Sequence, residues 1–359
     1  MPEKQDPLAS PIEAAVEATP TGVKAIVRSR IVSALDFLGA GKLQRRALSD
    51  VEAIAEFERE QEREEVLSQA YTNALAKQVE SSPQLVGRML ARRYQKEVRQ
   101  QENLEAVLFE AIEDLRSRPP TEEQVSAGND SPDPNFLGRI ETHAERASTD
   151  ELRKKWAAVL AAEIREPGTF SPAALRIVDE IDPDIAREFN MFASNRIRNG
   201  VPYCLVENNQ QLLADFGAAG LIQSTGFAQT ALFLNTKDST GTSVVVFGCA
   251  EGFFGVQLEA LRMIKPEDRR SLGLHVDEEG QRDQVSFSVH LFTRPGEAIS
   301  KLVGDVDLSN TAVFAQMLRD VIGHDQVQTY RLIPGTVELA PADLTPEVRK
   351  LDVWPPKDS

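Results

Sequence analysis

The stretch Trp156–Leu175, "WAAVLAAEIREPGTFSPAAL", decides how the chain is read, because its helix punctuation is legible residue by residue. Just upstream, in "STDE", Ser148 and Glu151 have the spacing of a capping box, which starts a helix running through Trp156 and Leu160 to Glu163. Pro167 and Gly168 stop it. Ser171 then caps the next helix with Pro172 at its first position, and Asp182 with Pro183 repeats the device one helix later. The stretch reads as a structural corner made by Trp156, Glu163, Pro167, Gly168, Phe170 and Ser171. Val159, Leu160, Ile164 and Phe170 supply its packing, and Trp156 its largest buried surface. Glu163 and Glu166 are neighbours on a helix face, but no nucleophile or metal ligand accompanies them, so the corner is read as structure and not as an acid–base pair.

Upstream of the corner the chain is helical. Residues 1–22, rich in proline and charge, read as a disordered tail without the basic start and apolar run of a signal peptide. Val23, Val27, Ile31, Leu35 and Leu38 mark an amphipathic helix, with Lys24, Arg28 and Arg30 off its stripe. Such a helix over residues 23–40 packs on a neighbour or, as the alternative, touches a membrane surface. A long helical run follows from Leu43 to Glu80. A second stripe, Val86, Leu90, Tyr94, Val98, Leu104, Leu108, Ile112 and Leu115, demands a partner helix, so residues 23–116 read as a helical hairpin or coiled-coil-like arm. The Arg and Gln cluster around Arg99 reads as a solvated face. Residues 117–134, "SRPPTEEQVSAGNDSPDP", read as the linker between that arm and an α/β body at 135–335, with a tail at 336–359.

Downstream, a helix at Gln211–Phe216 is followed by "GLI" and by two strands, "TALFLN" and "TSVVVFG", joined by the polar turn "TKDSTG". That is the layout of a winged helix. A later strand, "VSFSVHLF", alternates Val285, Phe287, Val289 and Leu291 on one face and feeds a helix through Thr293, Pro295 and Glu297. A further helix ends at Gly323. The fold class expected is therefore α+β, mainly α: a long N-terminal helical arm, a helical core and a small winged-helix-like unit.

Charge and chemistry narrow the function. The chain has 359 residues and a net charge of −16, a field that repels phosphates. The presumptive recognition helix offers Asn208, Gln210, Gln211 and Asp215 with no cation, and Ser171–Leu332 holds 14 basic against 21 acidic side chains, a balance of −7. A nucleic-acid role would need a patch assembled in space from Arg92, Arg93, Arg99, Arg269 and Arg270. Four histidines, His143, His275, His290 and His324, lack metal-ligand spacing, and neither a phosphate loop nor a nucleophile elbow is present. Cys204 and Cys249 sit in apolar strand-like surroundings as buried thiols of a reducing compartment. No window is long and apolar enough to span a membrane. The reading is of a cytoplasmic, non-enzymatic interaction protein without cofactor or metal, forming a homo-oligomer through its arm. A nucleic-acid-linked regulator and an enzyme without a recognisable motif are the alternatives.

The segment from Asn135 to Phe189, with Trp156, Ala157, Leu160, Ala161, Glu163, Pro167, Gly168, Phe170 and Ser171 at its centre, resembles an uncharacterised bacterial domain-of-unknown-function family. Upstream "RRYQKEVRQQENLEAVLFEA" and downstream "LLADFGAAGLIQ" and "LFTRPGEAISKLV" extend the similarity over roughly Leu43 to Val303. The chain departs from that pattern at Phe136, where the family carries tryptophan, and at Pro172–Ala173. The layout is loosely similar to that of abortive-infection proteins, which implies a phage-defence or stress accessory.

Overall fold

The structure is a computed structural model and describes residues 9–39, 83–207, 209–223, 229–237, 243–249, 252–276, 284–332 and 339–341. It is α+β and mainly helical. The chain divides into two compact units, Met1–Thr169 and Phe170–Ser359. The helical run expected over Leu43–Glu80 lies outside the described residues.

The first unit contains α1 (Ala9–Ala18), α2 (Lys24–Gly39), α3 (Pro83–Ser117), α4 (Glu122–Ala127), α5 (Pro134–Arg146) and α6 (Asp150–Arg165). Helix α3 is its spine and packs against α6, α1 and α5. Leu104, Leu108, Ile112 and Leu115 are buried, as the periodicity predicts. Val27, Ile31 and Leu38 of α2 are buried in the same unit, so the stripe expected to offer a membrane-surface contact faces protein. Residues 9–18, expected within a disordered tail, form α1, whose Ala15 is buried on α2 and α3. Its small side chain permits the close approach that composition alone does not announce.

The segment expected as a linker, 117–134, is also ordered. Thr121 and Gln124 form a capping box that starts α4, Val125 is buried, and Asp133 caps α5 ahead of Pro134. Its prolines and acidic residues are helix punctuation. The division between units falls instead between Thr169 and Phe170, inside the corner, so α5 and α6 belong with the helices and not with an α/β body starting at 135.

The second unit opens with α7 (Pro172–Glu180) and α8 (Pro183–Ala193), each started by the expected cap: Ala174 N–H donates to Ser171 Oγ and Asp184 N–H to Asp182 Oδ1. Then follow β1 (Gly200–Pro202), α9 (Gln210–Ala218), β2 (Thr230–Leu232), β3 (Leu234–Lys237), β4 (Ser243–Gly248) and β5 (Phe253–Gln257). The chain continues through α10 (Leu258–Arg262), α11 (Pro266–Ser271), β6 (Leu274–Val276), β7 (Val285–Leu291), α12 (Arg294–Ser300) and α13 (Asp307–Ile322). It closes with β8 (Val327–Leu332) and β9 (Leu339–Pro341), the latter inside the expected C-terminal tail. All strand pairings among the described residues are antiparallel. One sheet has β7 as its hub, flanked by β1, β2 and β6; the other runs β3-β4-β5-β8-β9.

The expected strand "TALFLN" is broken at Phe233: β2 pairs with β7 and β3 with β4. Phe233 is buried at the break, in edge-to-face or tilted contact with Phe247, Phe254 and Phe287, and Phe314 of α13 closes the ring cluster against the latter three. One aromatic core thus serves both sheets and α13. The hairpin "TALFLN"/"TSVVVFG" is real only in its second half, β3–β4, and that half belongs to the five-stranded sheet.

Candidate functional site

The corner is a built junction. The helix N-cap is Thr149, whose hydroxyl accepts from Leu152 N–H, one residue later than the expected Ser148 box. Trp156 is 2% exposed, and its indole stacks on the His143 ring with centroids 4.1 Å apart. Glu163, 1% exposed, is used structurally: its carboxylate accepts from Gly168 N–H at 2.7 Å. Gly168 has φ +97, which favours glycine, and Asn129 N–H donates to Pro167 O at 3.1 Å. Gly128 lies so close to Pro167 that a Cβ there would meet the proline ring at 2.6 Å. The loop before α5 is thereby stitched to the end of α6. Phe170 and Ser171, on the other side of the division, begin the second unit, Phe170 buried and Ser171 capping α7.

Two arginines complete the junction. Arg30, expected on the outer face of α2, is 1% exposed. Its guanidinium donates to Arg165 O (2.8 Å), Val125 O (2.9 Å) and Asn129 O (2.7 Å), carbonyls at the ends of α6 and α4 and in the loop beyond. Arg165 donates in turn to Arg118 O and Asp114 O, both at 2.9 Å, and pairs with the Asp114 carboxylate. Burial pushes the pKa of both guanidiniums down, against the pull of Asp130 on Arg30 and of Asp114 on Arg165. No local signal marks Arg30, because its acceptors lie 95 to 135 residues away.

In the second unit the structure brings together two motifs separated by about seventy residues. Helix α9 ends at Gly220, φ +74, with Leu221 N–H returning to Phe216 O. Ile222 then bridges to Phe292, and Thr293 N–H donates to Leu221 O at 3.0 Å before its hydroxyl caps α12. Gly296 is required there: a Cβ would stand 1.8 Å from Leu221 O. His290 is buried and stacked on Tyr203 at 4.0 Å; burial pushes its pKa down to about 4, so it is a neutral core residue. Burial likewise pushes the Cys204 thiol up to about 12, which makes it a poor nucleophile.

A recess of 390 Å³ in this unit is lined by Arg196, Arg198, Asn199, Glu297, Ser300, Lys301 and Asp307, a set the sequence did not mark. Arg198 has φ 57 in the tight turn that bridges Ile197 to Gly200. Its N–H donates to Asp307 Oδ1 at 2.6 Å, and its guanidinium lies 5.5 Å from the Phe247 ring centroid. Arg196 is buried, donating to Ser300 O (3.0 Å) and Gly304 O (2.7 Å) with Asp307 at 3.8 Å. Burial pushes the Asp307 pKa up, opposed by Arg196. Ser300 donates its hydroxyl to Glu297 O at 2.8 Å. These partners hold the turn and α13 in place.

Among the described residues no group of three His, Cys, Asp or Glu side chains could hold a metal ion, and no helix is long and apolar enough to cross a membrane. Arg269 and Arg270, which a nucleic-acid role would bring into one patch with Arg92, Arg93 and Arg99, are engaged within the second unit: Arg269 donates to Arg262 O at the end of α10, and Arg270 to Pro266 O in its own helix α11.

A family model described as "Protein of unknown function (DUF2806)" matches residues 87–236, from α3 to β3. The expected similarity to an uncharacterised domain-of-unknown-function family is thereby found, over a shorter span than Leu43–Val303. No curated protein and no solved structure matches the chain.

Proposed function

We propose that this chain is a non-enzymatic protein-interaction protein that self-associates through the N-terminal half of α3. The observation that carries this reading is a mismatch along one helix. Over Leu104–Leu115 the stripe of α3 is buried in the bundle, whereas residues 91–97 are exposed, with Tyr94 of the stripe at 69%. An apolar stripe that continues beyond its own bundle has a use when it meets a partner. Sedimentation or light scattering at tens of micromolar tests it. A dimer or larger species is expected, dissociated by Tyr94→Glu with the melting temperature unchanged; a compact monomer overturns the reading.

The second unit supports a degenerate winged-helix frame, with α8 and α9 as its helices. Support comes from the sheet order β1-β7-β2, from the Gly220 turn after α9 and from α12 directly behind β7. On this reading β3 to β6 are an insertion within the wing. Exposed Gln210 and Gln211 and partly exposed Asp215 give α9 no cation for a phosphate, so the frame is one for protein contacts. The family resemblance adds a bacterial setting and an accessory role in phage defence or stress. Recovery of the tagged chain's partners from its own host, before and during phage challenge, tests that addition; an unchanged set counts against it.

A further inference from the structure

The outer face of α3, opposite the stripe assigned to self-association, carries a charge pattern at odds with the rest of the molecule. From Arg88 to Arg99 five cations, Arg88, Arg92, Arg93, Lys96 and Arg99, accompany one carboxylate, Glu97, a local balance of +4 in a chain of −16. Arg93 is paired with Glu97 at 2.9 Å. Arg88, Arg92, Lys96 and Arg99 recur at intervals of four, four and three residues. At about 100° per residue they fall within an arc of about 80°, one charge per helical turn of about 5.4 Å. Tyr94 and Val98 of the apolar stripe lie on the opposite side of the same helix. Arg88, Arg92, Lys96 and Arg99 are all exposed, on a segment whose neighbours are exposed as well.

We propose that Arg92, Lys96 and Arg99, continued by Arg88, form a binding stripe for the phosphate backbone of nucleic acid, contacted without reading base sequence. The regular spacing matters more than the count. A row of cations one turn apart on a straight helix engages successive phosphates along a strand, and the acidic remainder of the chain confines the contact to this row. A membrane surface fits less well, because the Tyr94 side assigned to self-association is then not available to insert into a bilayer, and the row of cations alone supplies no apolar anchor. The stripe is independent of α9 and of Arg269 and Arg270, and it leaves the apolar side of α3 available for self-association.

Fluorescence anisotropy with a labelled thirty-nucleotide single strand and the matching duplex tests the proposal on the full chain. Binding is expected at 25 mM salt, with log K falling against log salt at a slope of about −2 to −4, as three to four phosphate contacts require. The triple variant Arg92→Glu, Lys96→Glu, Arg99→Glu is expected to lose at least tenfold in affinity, with circular dichroism and oligomeric state unchanged. If that triple does not fold, the milder Arg92→Gln, Lys96→Gln, Arg99→Gln variant is expected to lose several-fold. A control of equal charge change on exposed cations elsewhere, Arg139→Glu, Arg176→Glu, Arg294→Glu, is expected to bind within about twofold of the parent. Absence of binding at 25 mM salt, an equal loss in the control, or binding to phosphatidylserine vesicles but not to either oligonucleotide overturns it. Because Tyr94→Glu alone tests association, failure of the two readings is distinguishable.

Discussion

Trp156 and Glu163 share one helix, and their partners fix what substitution should do. Trp156 is enclosed and stacked on His143, so Trp156→Ala removes a large buried ring and should cost about 3–5 kcal/mol in chemical denaturation. Glu163→Gln keeps the shape but weakens a charge-assisted bond to Gly168 N–H, which should cost about 1 kcal/mol and leave the fold intact. Any loss of cellular phenotype should then track the melting temperature; a dead but fully stable Glu163→Gln protein would mean that the carboxylate does chemistry. His290 makes a separate prediction. Its folded-state pKa of about 4 lies below the ordinary 6.5, so the unfolded chain binds the extra proton between those values. The contribution is therefore fully present above pH 6.5 and lost as pH falls towards 4, by about 3 kcal/mol at most. Denaturant titrations at pH 7, 5.5 and 4 should show this decline, and His290→Leu should flatten it; an unaltered decline in that variant refutes the assignment.

Among the elements, α12 and α9 illustrate how a joint depends on a missing side chain. Gly296→Ala drives a methyl group against Leu221 O and should cost about 2–3 kcal/mol or more, whereas Gly217→Ala in α9 meets nothing within 4 Å and should gain about 0.5–1 kcal/mol. Both are glycines on helices, and measuring the pair by urea denaturation separates close approach from helix propensity; equal effects would argue against the joint. Helix caps were legible because they are local. Ser171, Asp182 and Gly323 each act within a few residues of themselves and stand where their spacing predicts, and Thr293, read as part of its helix, is that helix's cap. The Ser148 box slipped by one residue because Thr149 offers the same hydroxyl chemistry. The wing strands were misjudged for a different reason. Periodicity reports which residues form strands, not which strand they join, and β2 and β3 differ only in their partner.

For the molecule as a whole, a net charge of −16 at neutral pH is a standing self-repulsion of the folded state. Raising sodium chloride from 20 to 300 mM should therefore raise the melting temperature by a few degrees, because screening relieves that repulsion. A fall with salt would mean that ion pairs such as Arg165–Asp114 outweigh it. The same acidity makes the +4 balance of the α3 stripe a local exception. The division of the chain at Thr169–Phe170 falls within the corner sequence, so conspicuous punctuation marked a boundary, while the proline-rich 117–134 segment, the more obvious boundary by composition, lies within the first unit.

Composition, periodicity and capping spacing were enough to establish a mainly helical α+β chain, the amphipathic faces of α2 and α3 and the corner helices, because each of these rests on residues a few positions apart. Folding in space was needed for everything whose partners are distant. Arg30 became a buried clamp only when the carbonyl ends of α4 and α6 met it, and β7 became a hub only when β1, β2 and β6 arrived from three different parts of the chain. Arg196, Arg198 and Asp307 met because α13 begins beside a turn more than a hundred residues earlier. A buried polar group is satisfied by whichever donor or acceptor the fold delivers, and the linear order of residues carries no record of that delivery.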